Sequence, residues 1–296
     1  MRLDIELLQG ACDTHAHSLP ALFPRPFDHI EVAKNARDAG LKAVVLKCHH
    51  EGTAGRAYLV RRMVSGVEVF GGIVLNRSVG GLNPFAVSAA IGWGAKIVWM
   101  PTVDALNHLR YYDELGQYGD KFKLVAGKPG GYEAAAGISL PTEGDLPTDL
   151  ENILHQIADA DIALGTGHLS PPEIKNLVGR ARKMGVKKII VTHPAFSIPN
   201  LSVEEMEELA GMGAYMEFVY ATLSPAWHAN TIENVADYIK RVGSEHCIIA
   251  SDCGQIHNPS HPEGIRIYIR MLLEKGFSER EIETMVSRNP SKILGL

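Results

Sequence analysis

Along the chain, short apolar runs alternate with longer stretches of helical period. The apolar runs fall at residues 11–18, 42–50, 68–76, 96–102, 162–169, 188–193, 214–220 and 247–252. Several contain unbroken apolar triplets, such as Val44-Val45-Leu46 and Ile189-Ile190-Val191. A strand covered on both faces needs that pattern, because neither face meets water. The helical stretches fall at 27–39, 53–65, 84–93, 148–160, 170–184, 202–210, 229–242 and from 263 onward. Ile30, Ala33 and Ala36 share one face of the 27–39 helix, and Gly40 stops it. Thr148 with Glu151, and Ser202 with Glu205, have capping-box spacing. Ser170-Pro171-Pro172-Glu173 supplies a cap, two first-turn prolines and an acid at the helix N-terminus.

Eight strand–helix units in 296 residues predict an α/β fold, a (β/α)8 TIM barrel forming one domain over 1–296. A doubly wound open sheet is the rival, but it places a Gly-rich phosphate loop after its first strand. Here Asp13-Thr14-His15-Ala16-His17 occupies that position. The alternation breaks at 104–146, a polar, Gly-rich stretch without helical period that contains Gly127-Lys128-Pro129-Gly130-Gly131. It follows the fourth strand, so it reads as a hairpin or lid inserted at the rim of the barrel.

Composition narrows the function. A net charge of -5 and the lack of a long basic run argue against a nucleic-acid surface. No stretch approaches the roughly eighteen apolar residues of a membrane span. The acidic N-terminus does not resemble a secretion signal, and the four cysteines show no CxxC spacing. Both features predict a cytoplasmic protein with reduced thiols. The expected partner is a small-molecule substrate, and a homo-oligomer is compatible with the sequence.

The chemistry gathers at strand ends, where barrel enzymes keep it. His15 and His17 lie two apart on the first strand, so both point to one face and can grip one divalent ion. The second strand ends in Lys47-Cys48-His49-His50, the fifth in His168, the sixth in His193 and the eighth in Asp252. Alternation puts Lys47 and His49 on one face of their strand, and Cys48 and His50 on the other. Buried imidazoles need partners, and a metal ion supplies one. Histidine nitrogens with a carboxylate suit Zn²⁺; Mn²⁺, Fe²⁺ or Ni²⁺ can take the same set. His50, Asn76 and Glu217 are candidate substrate contacts, with a structural acceptor as the other reading of Glu217. Lys47 reads either as catalytic or as a partner in an ion pair inside the barrel. Cys48 reads as a small buried hydrophobe. Trp93, Trp99 and Trp227 read as packing, and His257 and His261 as residues of an exposed Pro-rich loop, with substrate contact as their other reading.

In combination these motifs resemble the amidohydrolase superfamily of metal-dependent hydrolases. The resemblance rests on HxH in the first strand, His in the fifth and sixth, and Asp in the eighth. It extends to Gly165-Thr166-Gly167-His168, Val191-Thr192-His193-Pro194, Ser251-Asp252-Cys253-Gly254 and the ending from Asn289-Pro290 to Leu296. It implies that His15, His17 and Asp252 hold one metal and that His168 and His193 hold a second. It further implies hydrolysis of an amide, lactone or ester by a metal-activated water. Asp252 would carry the proton, and Lys47 or His49 would stabilise negative charge. One departure stands out. Such proteins commonly bridge two metals with a carboxylated Lys or a Glu on the fourth strand, and Ile97-Val98-Trp99-Met100-Pro101-Thr102 has neither. Lys47, Cys48, His49 or Glu217 are the available substitutes. His49 also resembles the strand-two ligand of polymerase-and-histidinol-phosphatase-like phosphoesterases, but Val74 and Asn76 stand where those place a Glu. A metal-dependent decarboxylase and a non-catalytic metal-binding barrel complete the alternatives.

Overall fold

A computed structural model describes residues 2–125, 127 and 135–296. A single turn, α1 (Leu3–Glu6), precedes β1 (Cys12–His17). There follow α2 (His29–Asp38), β2 (Ala43–Lys47), α3 (Ala54–Met63), β3 (Glu68–Val74), α4 (Pro84–Gly92) and β4 (Ile97–Trp99). Next come α5 (Leu106–Tyr112), α6 (Thr148–Asp159), β5 (Ala163–Gly165), α7 (Pro171–Lys183), β6 (Lys188–Thr192) and α8 (Val203–Gly211). The chain ends with β7 (Tyr215–Val219), α9 (Ile232–Val242), β8 (Cys247–Ala250), α10 (His261–Glu274), α11 (Glu279–Glu283) and α12 (Asn289–Leu294). The strands pair in parallel in chain order, β1 to β8. The ring closes just beyond β8. There Ala16 bridges Cys253, the His17 N–H donates to Cys253 O (3.0 Å) and the Asp252 N–H donates to His15 O (2.8 Å). This is the (β/α)8 barrel that the alternation predicts.

Two apolar layers hold the barrel. Val44, Leu46, Val98, Leu164 and Val191 face outward and pack beneath the helices. Val45, Ile97, Trp99, Ala163, Ile190 and Ile248 fill the interior. Trp99 is the largest fully buried side chain. It fits because both neighbouring strands carry glycine beside it. A Cβ on Gly165 would overlap the indole at Cδ1, and one on Gly72 would overlap Ile97 O and the indole edge. The floor beneath the barrel mouth is therefore an aromatic plate.

Several local expectations need correction. Thr148 does not cap its helix. Pro147 holds the N-cap position with an extended backbone, and Thr148 is already helical. The Ser202–Glu205 capping box does form, with the Ser202 N–H donating to Glu205 Oε2 (2.8 Å) and the Glu205 N–H to Ser202 Oγ (3.2 Å). The 104–146 stretch contains a helix, α5, which is too short to leave a periodic signature and ends at Asp113 in a left-handed conformation. Trp93 is 64% exposed beside Tyr58 and Leu59 on the outer helices, so it does not pack in the core. His261 is buried, not exposed. All four cysteines are buried and unbridged. Among the described residues no helix is long and apolar enough to cross a membrane.

Candidate metal centre

His15 and His17 project from β1 into the barrel mouth and meet Asp252, two residues past β8. Asp252 Oδ1 lies 3.2 Å from His15 Nε2 and 3.1 Å from His17 Nε2. The far sides of both rings decide their protonation. His15 Nδ1 is 3.0 Å from Glu217 Oε2, and His17 Nδ1 is 3.1 Å from Lys47 O. A carboxylate and a carbonyl only accept, so each Nδ1 carries the proton and each Nε2 presents a lone pair. Burial drives both imidazoles toward the neutral form, His15 down to about 3 and His17 well below its ordinary range. Two imidazole lone pairs and a carboxylate oxygen thus face one another with no ring proton between them, and Lys47 Nζ is the donor beside them, at 3.0 Å from His15 Nε2. The two nitrogens and the oxygen are the donor set of a metal ion, with the outer partners that metal-bound histidines use. Among the described residues these three form the one group of three or more His, Cys, Asp or Glu with atoms close enough to share an ion.

Backbone strain holds part of this arrangement. Asp252 has φ +47° and His193, just past β6, has φ +32°. Non-glycine residues seldom sit there, and when they do the surrounding structure imposes it, most often at functional sites.

Glu217 lies beneath the centre, not at the rim. Its Oε1 accepts from Thr14 Oγ1 (2.6 Å) while Oε2 holds His15, and it does not reach the cavity. It braces His15, the structural-acceptor reading, away from the cavity. Lys47 sits above Trp99, its Nζ 5.0 Å from the ring centre, and donates to His15 Nε2 (3.0 Å). Burial lowers its pKa to about 8. Asn76 is fully employed as a brace. It donates to His49 O (2.9 Å) and Thr102 Oγ1 (2.8 Å) and accepts from Thr102 N (2.8 Å), so nothing remains for a substrate. Thr102 Oγ1 in turn holds His49 Nδ1 at 2.8 Å. The His49 ring stacks on His17 with centres 4.8 Å apart, outside the three-ligand group. His50 and Cys48 line a separate depression with Arg56, behind β2, as alternation requires. His50 is therefore not placed to meet a substrate at the centre.

His168 and His193 lie next to the centre. Their rings are 5.0 Å apart, and His193 stacks on His15 at 5.9 Å. His168 is oriented by a residue that the sequence reading passed over. His108 Nε2 donates to Gln117 O (2.6 Å), so its Nδ1 must accept, and it accepts from His168 Nδ1 (2.9 Å). His168 Nε2 is thereby left with its lone pair. Both His108 and Gln117 belong to the 104–146 insertion.

The centre opens into a cavity walled by His17, His49, His193 and Asp252, and by Tyr118 and Phe122 from the insertion. Arg25, from the loop after β1, reaches the same wall. Tyr118 and Phe122 pack with Phe23, Val103 and Phe196 in an aromatic cluster over the mouth. Gly127 of the expected hinge is among the described residues, in a left-handed conformation, and residues 128–131 lie outside them. The sequence held weak signals for what was missed. Arg25 stands between two prolines in the loop following HxH, and His108 is the lone imidazole of the insertion. His261 Nε2 donates to His17 O (2.8 Å) and so steadies the end of β1.

A family model described as "Family of unknown function (DUF6282)" matches residues 10–217. The chain belongs to this family. A search of curated proteins found no match. Among solved structures, this DUF6282 member is similar to an amidohydrolase from Pseudomonas aeruginosa, at 14% identity over 99% of both chains with a TM-score of 0.61. It is similar to dipeptidase AC, a metallopeptidase, at 10% identity over 98% of this chain and 100% of that one, TM-score 0.62. It is similar also to 2,6-dihydroxybenzoate decarboxylase from Rhizobium, at 10% identity over 97% and 99%, TM-score 0.58. At such identities the likeness is one of fold. The shared fold is the (β/α)8 barrel.

Proposed function

We propose that this protein is a metal-dependent hydrolase acting on an amide, lactone or ester bond of a small molecule. The observation that carries the reading is the convergence of His15 Nε2, His17 Nε2 and Asp252 Oδ1 with both ring protons turned outward. A divalent ion there, Zn²⁺ being the best chemical match, would polarise the scissile carbonyl and make a water nucleophilic near neutral pH. The chain's own groups supply the remainder. Asp252 is partly open to the cavity, at 16%, and can hold and pass a proton between nucleophile and leaving group. The Lys47 ammonium stands beside the centre and opposes negative charge developing there. His168, fixed by His108, and His193 offer further imidazoles on one side. Tyr118 and Phe122 exclude water from the cavity, so the insertion acts as a lid. One ion fits best, because His168 and His193 do not complete a second group of three among the described residues.

The test is to strip the metal with a chelator, restore Zn²⁺, Mn²⁺, Fe²⁺ or Ni²⁺ singly, and assay amides, lactones and esters beside elemental analysis. Activity returning in step with metal content supports the proposal, and activity that survives complete removal ends it. A metal-dependent decarboxylase is the second reading, favoured by the single ligand group over Trp99. Release of CO2 without hydrolysis would select it. A phosphomonoester arm in the same panel addresses the phosphoesterase alternative.

A further inference from the structure

Arg25 is a buried cation that the metal centre does not use. It lies in Phe23-Pro24-Arg25-Pro26, between β1 and α2, and is 7% exposed. Its guanidinium carbon sits 5.7 Å from the ring centre of Phe23 and 5.1 Å from that of Phe122. Nε and Nη1 are both buried without a hydrogen-bond partner among the described residues. No ion pair joins it to a carboxylate among those residues either. Burial pulls its pKa down only to about 10, so the group stays charged at neutral pH.

An arginine in this position is costly. A buried charge that lacks both counter-ion and hydrogen bonds loses several kcal/mol of solvation, which the two flanking rings offset only in part. Proteins seldom leave such donors idle unless a ligand takes them. Two other polar groups on this wall are already engaged, while His193 Nδ1, a neutral ring nitrogen, also has no partner among the described residues. Gln255 donates to Asp252 O (2.9 Å) and accepts from Asn258 (2.7 Å), and Thr222 Oγ1 donates to Val219 O (2.8 Å). The charged donors without a partner belong to Arg25, and they share one cavity with His17 and Asp252.

We propose that Arg25 is the anion-binding group of the substrate pocket, so that the substrate is a small carboxylic acid whose carboxylate is held there while its scissile bond lies over His15, His17 and Asp252. This rests on the reading of those three residues as the reaction centre. Geometry sets the size. The cavity is small, about 20 Å³ of space for the centre of a water molecule, and opens toward solvent. That favours a compact acid over an extended one. A carboxylate is favoured over other anions because a planar guanidinium matches its two oxygens, and because both flanking rings restrict the approach to the guanidinium plane.

The test uses binding and needs no turnover. Succinate, acetate, inorganic phosphate and neutral succinamide are titrated calorimetrically into the metal-loaded protein and into Arg25→Gln and Arg25→Lys variants. Circular dichroism and metal analysis are run on each variant. Succinate or acetate should bind wild type, and Arg25→Gln should weaken that binding by about tenfold or more, the loss expected for a charge-assisted hydrogen bond. Arg25→Lys should recover part of it, and succinamide should bind poorly to all three. Equal carboxylate affinity in wild type and a folded Arg25→Gln overturns the proposal, as does failure of both acids to bind wild type. Phosphate binding tighter than either acid, lost in Arg25→Gln, replaces the carboxylate by a phosphoryl group. If acids bind through Arg25 but metal removal leaves activity intact, the anion site stands and the hydrolase reading falls. The opposite pattern separates them the other way.

Discussion

Glu217→Gln tests whether the centre is tuned from below. The change keeps size and removes one charge. Glu217 accepts from Thr14 Oγ1 at 2.6 Å and from His15 Nδ1 at 3.0 Å, with all three side chains buried and no solvent to substitute. A glutamine has one oxygen for these two donors. If the oxygen faces His15, Thr14 can rotate its hydroxyl and accept from the amide NH2, so the site survives. If the NH2 faces His15, Nδ1 must give up its proton, the proton moves to Nε2, and the ligand lone pair disappears. Loss of such an outer partner typically weakens metal binding by about 10–100-fold. Stability should move less. The two hydrogen bonds lost or weakened are worth about 1.5–3 kcal/mol each when charged, but burial already pushes the Glu217 pKa up, so removing that charge returns part of the sum. The assay is competition for Zn²⁺ against a chromophoric chelator, with thermal unfolding of the metal-free protein alongside. The expected result is a metal affinity lowered at least tenfold with a small shift in Tm. Wild-type affinity in folded Glu217→Gln would refute the argument, and a fall in Tm as large as that of a core truncation would assign Glu217 to stability alone.

Replacing His15 or His17 with Ala should lower metal content and activity together, read by elemental analysis beside kinetics, whereas Asp252→Asn should lower activity further than metal content. Gly165→Ala forces a methyl into the Trp99 indole; a cost of about 1–3 kcal/mol in denaturant unfolding is expected for such overpacking, and no change would show that the plate is loosely held. Replacing residues 114–137 by a short Gly-Ser linker should reduce turnover much more than metal content in a protein that stays folded, and unchanged turnover would end the lid assignment.

The barrel was legible because its strands are covered on both faces and so write an uninterrupted apolar signal, as at Ile189-Ile190-Val191. The convergence of the His–His–Asp group was legible for a related reason. His15 and His17 share a face by strand periodicity alone, and Asp252 closes the last strand of an eightfold pattern. Roles that depend on three-dimensional neighbours were not. Asn76 and Glu217 sit at strand positions that could face a substrate, but each spends its donors and acceptors on other side chains. No spacing in the chain encodes that Thr102 lies between Asn76 and His49. α5 was hidden because seven residues give no reliable period, and His108 with it. Arg25 was hidden because a charged residue in a Pro-rich loop reads as exposed, and only the rings of Phe23 and Phe122 bring it indoors.

The seam that closes the barrel also brings the His–His–Asp group together. The seam between β8 and β1 is where both ligand-bearing segments meet, and Asp13 fastens it. Its carboxylate accepts from Ser251 N (3.0 Å), Ser251 Oγ (2.5 Å) and His15 N (3.1 Å). Those donors flank Asp252 on one segment and begin His15 on the other. Burial raises the Asp13 pKa to about 7, while the three donors pull against that rise. The left-handed backbone of Asp252 is then held from both sides, by Ser251 on Asp13 and by its own N–H on His15 O. The protein's own hydrogen bonds thus hold the strained Asp252 beside both imidazoles. The same anchors explain why the carboxylate reaches both imidazoles at nearly equal distances, 3.2 and 3.1 Å. The seam sets the spacing, and the outward protons on Glu217 and Lys47 O set the chemistry.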